Sequence, residues 1–80
     1  MSTQKLTNIS LARYRLFLSR AGCGCVRQSG GHEMWTKEGL LRPITLQTRI
    51  DPVPEFIIKN GLRTLGMSRV DFFRLLSDTE

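Results

Sequence analysis

One short stretch gathers the residues best suited to chemistry: Arg27-Gln28-Ser29-Gly30-Gly31-His32-Glu33-Met34-Trp35. It holds the single histidine and the single tryptophan of the chain, and its only Gly-Gly pair. A histidine titrates near neutral pH and can either give or accept a proton there. Glycine has no side chain to keep a phosphate backbone at a distance. Arginine meets phosphate through paired N–H donors. His32 one residue past Gly30-Gly31, with Arg27 across the turn, is therefore a candidate acid/base group beside a phosphate contact. The plain alternative is a surface or packing histidine. Glu33 would raise the pKa of His32 if the two carried facing groups. Neighbours on a strand point to opposite faces, so Glu33 is expected to be a solvated side chain. Trp35 suits stacking on a nucleic-acid base or packing in a core, and its spacing beside Val26 and the Ile44/Leu46 strand favours the core.

The charge balance fits a polyanionic partner. Twelve Lys and Arg against seven Asp and Glu leave +5 and a pI near 10.0. The excess lies in residues 1–50, with eight basic and two acidic side chains; residues 51–80 carry four basic and five acidic. Nucleic acid is the natural partner for such a front, and a solvated basic surface is the alternative. Lys37, Arg42, Lys59 and Arg63 are further candidates for phosphate contact. Cys23 and Cys25 stand in a C-x-C spacing that does not suit structural zinc, so no metal or cofactor is expected and both are read as reduced thiols packed as small hydrophobes. No apolar run reaches the roughly 18 residues of a membrane span. The first residues lack the apolar stretch of a signal peptide, so a cytoplasmic location is expected.

These groups need a scaffold. Residues 1–9 read as a flexible polar tail and residues 10–80 as one domain. Ser10 can cap a helix from Leu11 to about Ala21, with Leu11, Tyr14, Phe17, Leu18 and Ala21 on its apolar face. Arg13, Arg15 and Arg20 fall off that face, most simply into solvent, with phosphate as the other possible partner. Gly22 suits the end of the helix. A strand follows over about Cys23–Ser29, with Cys23, Cys25, Arg27 and Ser29 on one side and Gly24, Val26 and Gln28 on the other. Gly30-Gly31 fits a two-residue hairpin turn. A second strand covers about His32–Lys37, and Glu38-Gly39 turns the chain again. A third covers about Leu41–Thr48, where Ile44 and Leu46 alternate with polar residues and Pro43 favours an edge position or an irregular start. Asp51-Pro52-Val53-Pro54 is an extended connector. The next helix spans about Glu55–Leu65, with Ile58, Leu62 and Leu65 inward and Phe56 turned away. Gly61 within it costs about 1 kcal/mol against alanine and suits close packing on the sheet or on another neighbour. Gly66 ends this helix. Ser68-Arg69-Val70-Asp71 forms a capping box for a last helix to about Leu76, with Phe72, Leu75 and Leu76 inward. The expected class is α+β: an α-β-β-β-α order with a short extra C-terminal helix, and a three-stranded antiparallel sheet with helices on one face.

Several of these segments form an ordered series. Ala21-Gly22 closes the first helix and Val26-Arg27-Gln28 lies in the first strand. Gly30-Gly31-His32 follows, then Met34-Trp35. Ile58-Lys59, Leu62-Arg63, Gly66-Met67-Ser68 and Asp71-Phe72 complete it. Over about residues 10–76 this series resembles the HicA-type toxins of bacterial toxin–antitoxin systems, small mRNA-cleaving ribonucleases with a double-stranded-RNA-binding-domain-like fold. Gly31 stands where the family usually has serine, and Gln47-Thr48-Arg49 stands where it has a proline and a histidine. The resemblance implies a metal-independent endoribonuclease with His32 as general acid/base. Arg27, Gln28, Gly30, Gly31, Lys37, Arg42, Lys59 and Arg63 would then contact RNA. It also implies an mRNA substrate and a HicB-like antitoxin partner covering His32 and the basic patch; Phe56 is a candidate for that interface or for packing under the last helix. The alternative is a non-catalytic RNA-binding module on the same fold.

Overall fold

The computed structural model describes residues 5–77. The chain forms α1 (Leu11–Arg20), β1 (Gly24–Ser29), β2 (His32–Thr36), β3 (Ile44–Gln47), α2 (Glu55–Leu65) and α3 (Arg69–Ser77). The strands make one antiparallel sheet in the order β1-β2-β3, with β3 at an edge; it is shorter than the expected Leu41–Thr48 and begins only after Pro43. Among the described residues the architecture is small α+β, with an open three-stranded sheet and three helices. Among the described residues no helix is long and apolar enough to cross a membrane.

Local chemistry sets the helix ends. The Ser10 hydroxyl accepts the Arg13 N–H at 3.1 Å, and the Asp51 carboxylate accepts the Leu11 N–H at 3.0 Å. Two of the amide donors that a helix start leaves free are thereby satisfied. At the start of α3 the Ser68 hydroxyl accepts the Asp71 N–H, and the Asp71 carboxylate accepts the Ser68 N–H in return. This is the reciprocal capping box that the sequence predicts.

The core lies between the helices and one face of the sheet. Tyr14, Phe17 and Leu18 of α1 meet Ile44 and Leu46 of β3, Ile58 and Leu62 of α2, and Phe72 and Leu76 of α3. The rings of Phe17 and Phe72 lie 4.6 Å apart, tying α1 to α3. The expected loose tail needs correction where it is described. Leu6 is 1% exposed and Ile9 4%, both within the core, and the Val53 N–H donates to the Ile9 carbonyl at 2.8 Å. Residues 1–4 of that expectation lie outside the described residues. Two apolar side chains in a polar run are enough to anchor a segment when each is fully removed from water.

Gly61 packs against α1 and the sheet. A Cβ there would overlap the Tyr14 hydroxyl and come within 3.7 Å of Ile44 Cγ2. The Tyr14 side chain is fully buried, and its hydroxyl has no hydrogen-bond partner among the described residues. Burial pushes this phenol well above its ordinary pKa, with a smaller push from Cys23. Gly61→Ala is expected to destabilise the fold by about 1–3 kcal/mol through overpacking, despite alanine's better helix propensity. Tyr14→Phe removes an unsatisfied polar group and is expected to leave stability unchanged or raise it by up to about 2 kcal/mol. Combining the two should recover most of the alanine penalty. Urea unfolding of the three variants checks this; a destabilising Tyr14→Phe would contradict it.

Candidate functional site

The hairpin is built as its glycines dictate. Ser29 lies opposite His32, leaving Gly30-Gly31 as a two-residue loop with φ of 57° and 88°. Positive φ at both positions is the type I′ pattern, which matches the twist of the flanking strands. Across the sheet His32 pairs with Gln47 and Met34 with Thr45, while Glu33 pairs with Leu46 and Trp35 with Ile44. Leu46 and Ile44 are buried and Thr45 and Gln47 exposed. Glu33 and Trp35 therefore face the helices, and His32 and Met34 face the open side.

The first strand departs from simple alternation. Cys25 lies opposite Trp35 and Arg27 opposite Met34, with Val26 left over as a bulge. A bulge advances the side-chain phase by one residue. Arg27 consequently shares the open face with His32, whereas Cys25 lies on the other side. Val26 is 64% exposed rather than packed beside Trp35. Cys23 is buried and Cys25 exposed, so only Cys23 packs as a small hydrophobe. Burial pushes the Cys23 thiol up, and the nearby Lys37 charge opposes this.

His32 is exposed at the rim of a polar depression of about 260 Å³, lined by Gln28, Ser29, Gly30, Gly31, His32 and Thr48. That is several times the ~30 Å³ of a liquid water, so a phosphate group has room. The Thr48 N–H donates to the Gly31 carbonyl at 2.8 Å, extending the strand pairing past β3. This brings Arg49 to the turn. Its Nε lies 3.1 Å from the point where a Gly31 Cβ would stand, with Cδ at 3.5 Å and Cζ at 3.6 Å. The missing side chain at 31 thus leaves space beside the Arg49 guanidinium. Among the described residues no carboxylate pairs with Arg49. Sequence reading passed over Arg49 as a site residue; its signal is that it is the first cation after β3, in register with the glycine turn.

Glu33 is not solvated. At 3% exposure it is the one buried charged side chain among the described residues. Its two oxygens accept four donors: Arg15 Nε at 3.1 Å and Nη2 at 2.8 Å, Gln28 Nε2 at 2.8 Å, and Trp35 Nε1 at 3.0 Å. Burial pushes this carboxyl up, but the hydrogen bonds and the Arg15 charge outweigh it and hold it below its ordinary range. Arg15 is therefore a structural clamp between α1 and β2 rather than part of a solvated face. Arg20 likewise donates to the Leu75 carbonyl at 2.8 Å. Trp35 is half-buried against the core, with its indole N–H committed to Glu33.

The remaining candidates are dispersed. Gln28 lines the depression, but its amide is bonded to Glu33. Lys37 donates to the Ala21 carbonyl at 3.1 Å, where a cation complements the end of α1. Lys59 pairs with Glu55 at 3.2 Å. Arg42 and Arg63 flank a different and larger cleft of about 390 Å³ between β3 and α2, with Asn60 and Thr64. The structure thus gathers Arg27, Gln28, Gly30, Gly31, His32 and Arg49 around the hairpin, sets Arg42 and Arg63 apart, and gives Lys37 and Lys59 intramolecular partners. Comparison with protein families, with characterised proteins and with solved structures returns no match.

Proposed function

We propose that this chain is a metal-independent endoribonuclease on a double-stranded-RNA-binding-domain-like scaffold, acting on mRNA as the toxin of a toxin–antitoxin pair. The observation that carries the reading is the placement of His32. It is an exposed imidazole at a side-chain-free I′ turn, on the open sheet face, with guanidinium groups on that face and at the turn. In such a reaction the RNA 2′-oxygen attacks the adjoining phosphorus and loses its proton to a base. The P–O5′ bond breaks, and an acid protonates the leaving oxygen. His32 supplies one of these proton transfers, and guanidinium groups offset the charge that gathers on the phosphate. The products are a 2′,3′-cyclic phosphate and a free 5′-hydroxyl.

A protein partner fits the same end of the molecule. Phe56 is 64% exposed and Ile50 41%. They flank a small apolar cleft that reaches Gln47, the cross-strand neighbour of His32. An acidic antitoxin seated on Phe56 and Ile50 would also cover the His32 depression and meet the basic charge beside it.

The second reading, an RNA-binding module without catalysis, is favoured by one observation. Among the residues lining the depression, His32 is the only acid/base side chain, with no second one for the other proton transfer. Product analysis decides. Incubation of purified protein with RNA in EDTA is expected to yield fragments ending in 2′,3′-cyclic phosphate. Saturable RNA binding with intact RNA would support the binding module instead.

A further inference from the structure

We propose that Arg49 is the phosphate-holding residue of the His32 site, its guanidinium seated against the bare Cα of Gly31. The proposal rests on the nuclease reading only for naming the ligand as an RNA phosphodiester; the phosphate seat itself is argued from geometry. Three observations carry it. The Thr48–Gly31 backbone bond at 2.8 Å fixes the root of Arg49 beside the turn. The side chain then lies along the turn, with Cδ, Nε and Cζ all within 3.6 Å of the position a Gly31 Cβ would take. Finally, the guanidinium is uncompensated. Arg15, Lys59 and Arg74 each have a carboxylate partner, and Arg49 has none among the described residues.

An arginine with its stem already placed loses less side-chain freedom when it grips a ligand. Its fork matches two phosphate oxygens at once. The depression beside it is lined by Gln28, Ser29, Gly30, Gly31, His32 and Thr48, with no carboxylate to repel an anion. Arg27 shares the sheet face but lies opposite Met34, two positions further from the turn. Arg49 does not itself line the depression, but it lies against Gly31, which does, and it is the cation assigned to the phosphate beside His32. Glycine at 31 suits this placement: a serine there would be strained on a backbone at φ 88°, and its Cβ, 3.1 Å from Nε, would make the Arg49 side chain give by a few tenths of an ångström.

The test uses the full chain, isotopically labelled, titrated with inorganic phosphate at low ionic strength and followed by amide shifts. Phosphate is expected to move Gly30, Gly31, His32 and Thr48 in a saturable way. Arg49→Ala should weaken this binding about tenfold or more, the loss of one charge-assisted contact, and Arg49→Lys should restore it only in part. Arg74→Ala removes the same charge from α3 and should leave affinity within about twofold. No saturable shift at the turn, or equal affinity in wild type and Arg49→Ala, overturns the proposal. If phosphate binds as stated but RNA survives in EDTA, the nuclease reading fails while the phosphate seat stands.

Discussion

Arg15→Ala is expected to destabilise the fold by about 3 kcal/mol, at the low end of the range for breaking a buried ion pair. Glu33 is almost fully removed from water and takes two of its four hydrogen bonds from Arg15. The arginine side chain is 38% exposed, so part of its charge remains solvated and the loss stays at that low end. Without Arg15 the carboxylate keeps only Gln28 and Trp35. The sign with pH follows from the direction of the shift. The folded-state pKa lies below the ordinary 4.5. The pair's contribution is therefore complete above the carboxylate range and is lost as pH falls through the folded pKa. Arg15→Ala should make stability fall less steeply between pH 7 and acid than in the wild type. Denaturant unfolding at several pH values checks both statements. A variant within 0.5 kcal/mol of wild type, the usual scatter of surface substitutions, would contradict the clamp. Because Glu33 adjoins His32, this clamp also holds the strand that presents the imidazole.

His32→Ala is expected to reduce RNA cleavage by about 10²–10⁴-fold, the usual worth of a positioned acid or base. Stability should change by less than about 0.5 kcal/mol, because the side chain is exposed and outside the core. The two variants thus separate the roles of adjacent residues. Loss of the Glu33 clamp is expected to act on folding, and loss of His32 on turnover. Unfolding curves and single-turnover cleavage, run on the same preparations, show whether the effects divide in this way.

Helices and the hairpin were the legible parts. Ser10, Ser68 with Asp71, and Gly66 mark helix ends by local hydrogen bonding and by φ, both of which are written in adjacent residues. Gly30-Gly31 marks the turn for the same reason. What escaped depends on contacts distant in sequence. The Val26 bulge has no glycine to announce it, and β1 is exposed along its whole length. No buried alternation therefore fixes its register. Alternation placed Glu33 opposite in direction to His32 but could not say which of the two faced the helices. A carboxylate on the covered face breaks the apolar pattern, and it is tolerated because Arg15, 18 residues earlier, reaches over it. Gly61 signalled close packing, but only the fold identifies the Tyr14 hydroxyl. Arg49 became a site residue only once the sheet brought it to the glycine turn.

In the proposed reaction His32 takes part in cutting RNA without a metal. The most direct test is cleavage of end-labelled RNA in excess EDTA by purified wild type and His32→Ala, side by side. Cyclic-phosphate-ended fragments are expected from the wild type, and a rate lower by at least about a hundredfold from the variant. Equal rates for the two proteins, or wild-type cleavage that appears only when a divalent metal is restored, would contradict it.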